Sequence, residues 1–258
     1  MQTQANTTSL ATRLRERWGL TRSLLMYYGI PGRQARMRNF YREFISPGDL
    51  CFDIGAHVGN RLKAWQALGA RSVAVEPQPL LMQTLQSRYA SAEDIDLVAQ
   101  AIGAQPGEAT LHISTQTPTV TTMSQEWITQ VKQDASFERV KWDRQVVVPV
   151  ITLDQLIVEK GEPVFCKIDV EGFELQVLQG LSRPLRSLSF EYIPAAISMA
   201  IDCINRLEEL GNYEYNLAPG ESHRLRYDQW LAADDMRQQL KNIIQGSGDV
   251  YARLGTSR

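Results

Sequence analysis

Four times along the chain a short apolar run closes on a carboxylate, at Asp53, Glu76, Asp169 and Glu191. An acid at the tip of a buried strand stands where α/β sheets bind their ligands, outside the carboxyl ends of the strands. Asp53 belongs to Leu50-Cys51-Phe52-Asp53-Ile54-Gly55-Ala56-His57-Val58-Gly59-Asn60, an apolar burst that runs into a loop with two glycines. Those glycines let the backbone pass close to a ligand with no Cβ in the way. Glu76 ends the next apolar run, 21 positions after Gly55. That is close to the roughly 20-residue offset at which such an acid reaches ribose hydroxyls. The pair therefore reads as a nucleoside-cofactor site.

The loop also says which cofactor is excluded. A dinucleotide site needs G-x-G-x-x-G to bring a pyrophosphate onto a helix N-terminus. Here the spacing is D-x-G-x-x-x-G from Asp53 to Gly59, with a carboxylate where the first glycine would fall. A carboxylate repels pyrophosphate and suits the ammonium and sulfonium of S-adenosylmethionine. A nicotinamide-dependent oxidoreductase is the rival enzyme reading, and a non-catalytic nucleoside-binding protein the rival outside enzymes.

The acids further along supply a second group. Lys167-Ile168-Asp169-Val170-Glu171-Gly172-Phe173-Glu174 is again a strand that ends in a carboxylate and turns through a glycine into a helix. Asp169 holds the strand tip, and Glu174 is expected on the helix surface. Glu171 and Glu174 also fit acids that complement a helix dipole. Glu191 ends the run 187–192, and His223 lies on a polar excursion, where it reads first as a surface histidine.

These side chains need a sheet with helices between its strands. Strands are predicted at 50–54, 72–76, 96–103, 108–113, 146–150, 164–169, 187–192, 213–217 and 248–254. Helices are predicted at 61–68 (with Gly69 as its C-cap), 80–89, 124–132, 175–180, 197–210 and 236–244, with a short one opening at the N-cap Thr152. Pro149 places its strand at an edge or a bulge. The cofactor loop and acid tips then share one end of a mostly parallel sheet.

Composition fits this plan. The 258 residues carry a net charge of −2 and are 43 % hydrophobic, enough for one α/β domain with additions. No apolar run reaches 18 residues, and the first 30 residues lack an apolar h-region, so neither a transmembrane span nor a signal peptide is expected. Cys51, Cys166 and Cys203 have no C-x-x-C spacing and read as core thiols of a reduced, cytoplasmic protein. Residues 9–44 differ in character, with eight arginines against Glu16 and Glu43, a net +6. They read as an amphipathic arm packing Leu14, Trp18, Leu24, Leu25 and Phe40 on the main domain. The arginines could also receive an anionic substrate or membrane surface, Arg36, Arg38 and Arg42 being those expected to face a site. The division is an N-terminal helical arm at 1–45 and a catalytic domain at 46–258, with variable lid segments at 114–145 and 219–245.

With these stretches assembled, the chain resembles the FkbM family of S-adenosylmethionine-dependent methyltransferases. The likeness rests on Asp53–Asn60, Val75-Glu76-Pro77 and the Lys167–Glu174 string, with support from 101–103, 150–154 and 248–253. His57 stands where the family more often has asparagine. The resemblance implies a Rossmann-like class I methyltransferase fold, a seven-stranded, mostly parallel sheet with helices on both faces and an antiparallel last strand. It implies S-adenosylmethionine held by Asp53, Gly55, Ala56, His57, Gly59, Asn60, Glu76, Pro77, Ala101, Ile102 and Asp169. The reaction implied is O-methylation of a small hydroxylated acceptor such as a sugar or glycolipid, with no nucleic acid as partner. An alcohol needs a general base, for which Asp169 is the first candidate, followed by Glu171, Glu191 and His223. No metal is assigned. A divalent ion held by Asp169, Glu191 and a distant histidine is the alternative way to acidify the hydroxyl.

Overall fold

The computed structural model describes residues 18–25 and 28–255. Seven strands form the main sheet: β1 (Leu50–Ile54), β2 (Arg71–Val75), β3 (Ile95–Val98), β7 (Phe165–Ile168), β8 (Ser187–Tyr192), β9 (Tyr213–Pro219) and β10 (Gly248–Leu254). Their order is β3-β2-β1-β7-β8-β10-β9. β10 is antiparallel to both its neighbours and the other pairings are parallel. A second sheet, ordered β4-β6-β5, joins β4 (Ala101–Ile102), β5 (Gly107–Ile113) and β6 (Arg144–Ile151).

Helices cover both faces. On one, α5 (Leu153–Lys160), α6 (Glu174–Gln179), α7 (Ile197–Leu210) and α8 (Ala233–Lys241) bury an aliphatic core against Phe52, Ile54, Ile168 and Phe190. On the other, α1 (Arg33–Tyr41) and α2 (Asn60–Gln66) pack Met37, Phe40, Tyr41 and Trp65 against Cys51, Phe165 and Tyr251. α3 (Pro79–Tyr89) closes a smaller cluster through Leu85, and α4 (Gln125–Val131) holds Trp127 in another.

Period-two alternation positions the site. The strand residues that face α1 and α2 are apolar at the amino end of the sheet, Cys51 and Phe165. One step towards the carboxyl edge the same face carries Asp53, Lys167 and Tyr251, and Asp249 follows one step further on. Asp53 is in register with Lys167, Lys167 with Ser189, and Asp249 with Glu191. The polar side chains of four strands are thus stacked at one end of one face.

Three sequence expectations change. The strand expected over 96–103 breaks at Ala99 and Gln100 into β3 and β4, which belong to different sheets. Trp18 and Leu25 do not pack on the domain: they are 70 % and 66 % exposed, while Phe40 is buried. Leu14 lies outside the described residues. Glu174 is buried rather than on the helix surface. Pro149 falls in β6 where pairing exists on one side only, opposite Glu108, so its missing N–H costs no ladder bond.

Candidate active site

A cavity opens at the carboxyl edge of the sheet. Its wall includes Gly55, His57, Asn60, Glu76, Pro77, Ala101, Ile102, Asp169 and Glu171, together with Arg61, Gln78, Thr121 and Thr122. Of the residues expected to hold the cofactor, Asp53, Ala56 and Gly59 lie behind this wall and shape it from beneath.

The loop after β1 is a close fit. Gly55 has φ 85°, and a Cβ there would collide with the backbone oxygen of Asp169. Gly59 has φ 75° and stands immediately before α2, where a Cβ would press on Tyr89 and Leu85. His57 adopts φ 51°, and its N–H donates to Glu76 Oε2 at 2.9 Å. Glu76 Oε1 accepts from the N–H of Gln78 at 2.8 Å. Two backbone donors thus hold the Glu76 carboxylate at the cavity wall, leaving its remaining lone pairs free to accept. Burial pushes its pKa up to about 7, against those two hydrogen bonds. Burial takes His57 the other way, to about 4, so the ring is neutral at physiological pH. Across the cavity, Thr121 donates to Gln78 Oε1 at 3.0 Å and ties the 114–124 loop to the tip of β2.

The second half of the site is a charge cluster. Asp169 Oδ2 is 3.2 Å from Arg61 Nη2 and 3.4 Å from Lys167 Nζ. Lys167 is fully buried and also donates to Asp249 Oδ1 at 2.8 Å. Burial alone would raise the Asp169 pKa, but Lys167 and Arg61 hold it below the usual carboxylate range. Asp53 is buried with neither oxygen hydrogen-bonded, and burial raises it to about 6 despite Arg61 and Lys167 nearby. Glu171 and Glu191 behave in the opposite way to Asp169. Burial and the neighbouring carboxylates push both well above the ordinary range. Asp169, Glu171 and Glu191 each offer an oxygen within 4.8 Å of the others.

Local backbone explains this convergence. Glu174 turns back and accepts from the N–H groups of Val170 at 3.1 Å and Gly172 at 3.0 Å, fixing the turn after β7. Gly172 has φ 91° and no room for a Cβ against the Trp127 ring. Glu171 itself has φ 53°, a left-handed conformation that turns it towards the cavity. His223 is not brought into this cluster. It sits beside Glu221 at 3.5 Å and lines a separate open groove with Arg36, Phe40 and Trp230. Among the described residues of the arm, Arg33, rather than Arg36, Arg38 or Arg42, is the buried arginine, paired with Glu221 at 2.9 Å.

Arg61, Lys167 and Asp249 are the site residues that motif reading passed over. Lys167 was detectable: a lysine inside a buried strand must be paired, and Asp169 is its same-face neighbour. Arg61 and Asp249 come from other elements, and only the tertiary fold brings them there.

A family model for the methyltransferase FkbM domain matches residues 53–243. No curated protein matches the chain. Among solved structures, a TehB-like SAM-dependent methyltransferase from Corynebacterium glutamicum is 11 % identical over 95 % of this chain and 99 % of that one, with a TM-score of 0.49. Precorrin-6y C5,15-methyltransferase from Geobacter metallireducens is 11 % identical over 86 % of each chain, with a TM-score of 0.46.

Proposed function

Because the chain belongs to the FkbM methyltransferase family, we propose that it methylates a hydroxyl of a small molecule, with S-adenosylmethionine as donor. The observation that carries this reading is Glu76, held inside the cavity by the N–H groups of His57 and Gln78 and open to two further donors. A ribose 2′,3′-diol supplies two donors. The residues present fit the rest of the cofactor too. Ala101 and Ile102 give an apolar wall for a base. At the wall, Asn60 Nδ2 is unpartnered and awaits a polar group. The nicotinamide reading is set aside by the family.

When bound, the cofactor would supply an electrophilic methyl group on a sulfonium, whose thioether leaves as the methyl passes to the acceptor oxygen. The chain's part is to position the two and to take the hydroxyl proton. Asp169, clamped by Arg61 and Lys167, is a weak base in this structure. Its role is to hold the acceptor hydroxyl by accepting its hydrogen bond. Glu171 and Glu191 hold their protons more tightly, and the ionised member of that pair is the better proton acceptor. His223, apart from the cluster, has no part in this step.

A second reading has its own observation. The convergence of Asp169, Glu171 and Glu191 offers an all-oxygen set of the kind that hard divalent ions prefer. Such an ion would acidify the hydroxyl and replace the general base. Arm 1–45 and the segments 114–145 and 219–245 would choose the acceptor. The three buried free thiols suit a reducing, cytoplasmic setting.

The test is incubation with methyl-labelled S-adenosylmethionine and a panel of hydroxylated acceptors, with Mg²⁺ or with chelator. Label in an ether product supports the proposal, and dependence on Mg²⁺ selects the second reading. Tight cofactor binding with no transfer to any hydroxyl would point to another acceptor atom.

A further inference from the structure

Six large hydrophobic side chains are strongly exposed among the described residues, and three of them, Trp18, Leu25 and Ile30, fall within 13 positions of the arm. Residues 18–25 are helical. Gly19 and Ser23, four apart, face inward: a Cβ on Gly19 would meet Thr115 O at 2.8 Å and Pro118 at 2.9 Å, and Ser23 is buried. Trp18, Arg22 and Leu25 follow one another at i, i+4 and i+7, so they form one outward stripe. Arg22 is exposed between the two apolar side chains. Ile30 is 49 % exposed and lies two residues before Gly32, which the Arg36 guanidinium approaches.

A solvated arm would show charge outward and apolar side chains inward. Here a tryptophan and two aliphatic side chains project outward with arginine among them, in a segment carrying +6 within a chain of −2. Tryptophan and leucine that dip into an interface, with arginines reaching anionic headgroups, are the chemistry of a surface-lying membrane helix. We propose that the stripe Trp18–Arg22–Leu25, extended by Ile30 and Arg36, docks the protein on the surface of an anionic lipid bilayer.

The arm's other attachments give this docking a consequence. The hydroxyl of Tyr28 donates to Val58 O at 3.2 Å, on the loop after β1, and the amide of Gln34 to Asn60 O at 3.2 Å, at the start of α2. Arg88 stacks over the Tyr28 ring at 4.2 Å. Gly19 rests on Pro118, which itself lines the cavity. The inward side of the arm is therefore fastened to the cavity rim. A bilayer on its outward side would lie next to the cavity mouth, where an acceptor carried on a lipid could enter.

The experiment is flotation of the full chain with phosphatidylcholine vesicles, with and without phosphatidylglycerol, at low and high salt. Binding to the anionic vesicles alone, weakened by salt, is expected. Charge reversal in Arg22→Glu/Arg36→Glu should lower partitioning at least fivefold for each arginine. Serine at Trp18, Leu25 and Ile30 should abolish flotation while leaving S-adenosylhomocysteine affinity unchanged, which certifies the fold. Failure of the wild type to float, or equal flotation of the serine variant, would overturn the proposal. So would a dimer by light scattering that the serine variant dissolves in the absence of vesicle binding, because the stripe would then cover a second copy.

Discussion

Replacing Glu76 with alanine is the most direct test of how the cavity holds its ligand. In the wild type both carboxylate oxygens are already anchored, by His57 N–H at 2.9 Å and Gln78 N–H at 2.8 Å, so the group is held before ligand arrives. Each hydrogen bond from a ribose hydroxyl to this carboxylate is worth about 1.5–3 kcal/mol. Loss of one such bond raises the Kd for S-adenosylhomocysteine about 10- to 150-fold. Alanine also frees the two loop N–H groups, so weaker binding could come from a slackened loop. Isothermal titration of wild type and variant with S-adenosylhomocysteine and its 2′-deoxy analogue separates the two causes as a double-mutant cycle. Removing the 2′-hydroxyl should cost the wild type at least tenfold and cost Glu76→Ala almost nothing more. If the deoxy analogue loses as much affinity on the variant as on the wild type, Glu76 does not hold the ribose. Equal binding of S-adenosylhomocysteine by both proteins would refute the argument from the strand tip altogether.

The same carboxylate predicts a pH dependence. Its pKa is about 7 when free, and ribose hydroxyl donors favour the ionised form, so the bound pKa is lower. Affinity for S-adenosylhomocysteine should then fall as pH drops below 7, towards tenfold per unit, and level off above 7; a flat titration curve from pH 5 to 8 would contradict this. Lys167→Met leaves Asp169 and Asp249 without their buried partner and should cost about 3–5 kcal/mol in urea unfolding, with part of it recovered by adding Asp249→Leu. An unchanged midpoint would mean that the buried lysine holds no net stability. Glu171→Gln and Glu191→Gln should each lower kcat with little change in cofactor Kd, at least one by 100-fold or more, as expected for loss of a general base. Two near-normal rates would pass the role to Asp169.

Much of this was legible in the residues. The apolar bursts at β1, β2, β7 and β8 and the helix 197–210 followed their hydrophobic patterns, because strands and helices buried on a large face have little freedom to do otherwise. The Thr152 cap formed as its sequence indicates, with a reciprocal Gln155 bond, and Ser124 caps α4. What pattern could not carry was pairing over distance. The break at 99–100 arises because β4 finds its partner in β6, some 50 residues on. The electrostatic contrast within the acid cluster has the same origin. Asp169 holds the strand tip, where Lys167 and Arg61 from α2 lower its pKa, while burial raises those of Glu171 and Glu191. The arm misled for a simpler reason. Its amphipathic stripe was clear, but amphipathicity does not say whether the apolar side meets protein or something else.

The sheet order bears on how the chain can be made. β9 borders only β10, and β10 enters between β8 and β9 after both have been synthesised. Until it arrives, the edge of β8 lacks its neighbour, β9 has no strand to join, and Lys167 lacks Asp249. A ribosome therefore extrudes all the other strands of the sheet before it can close, with an open strand edge exposed to other nascent chains. Truncations that stop short of β10, however small, should burden chaperones rather than yield a trimmed enzyme. Closure of the sheet thus waits on the position of one strand.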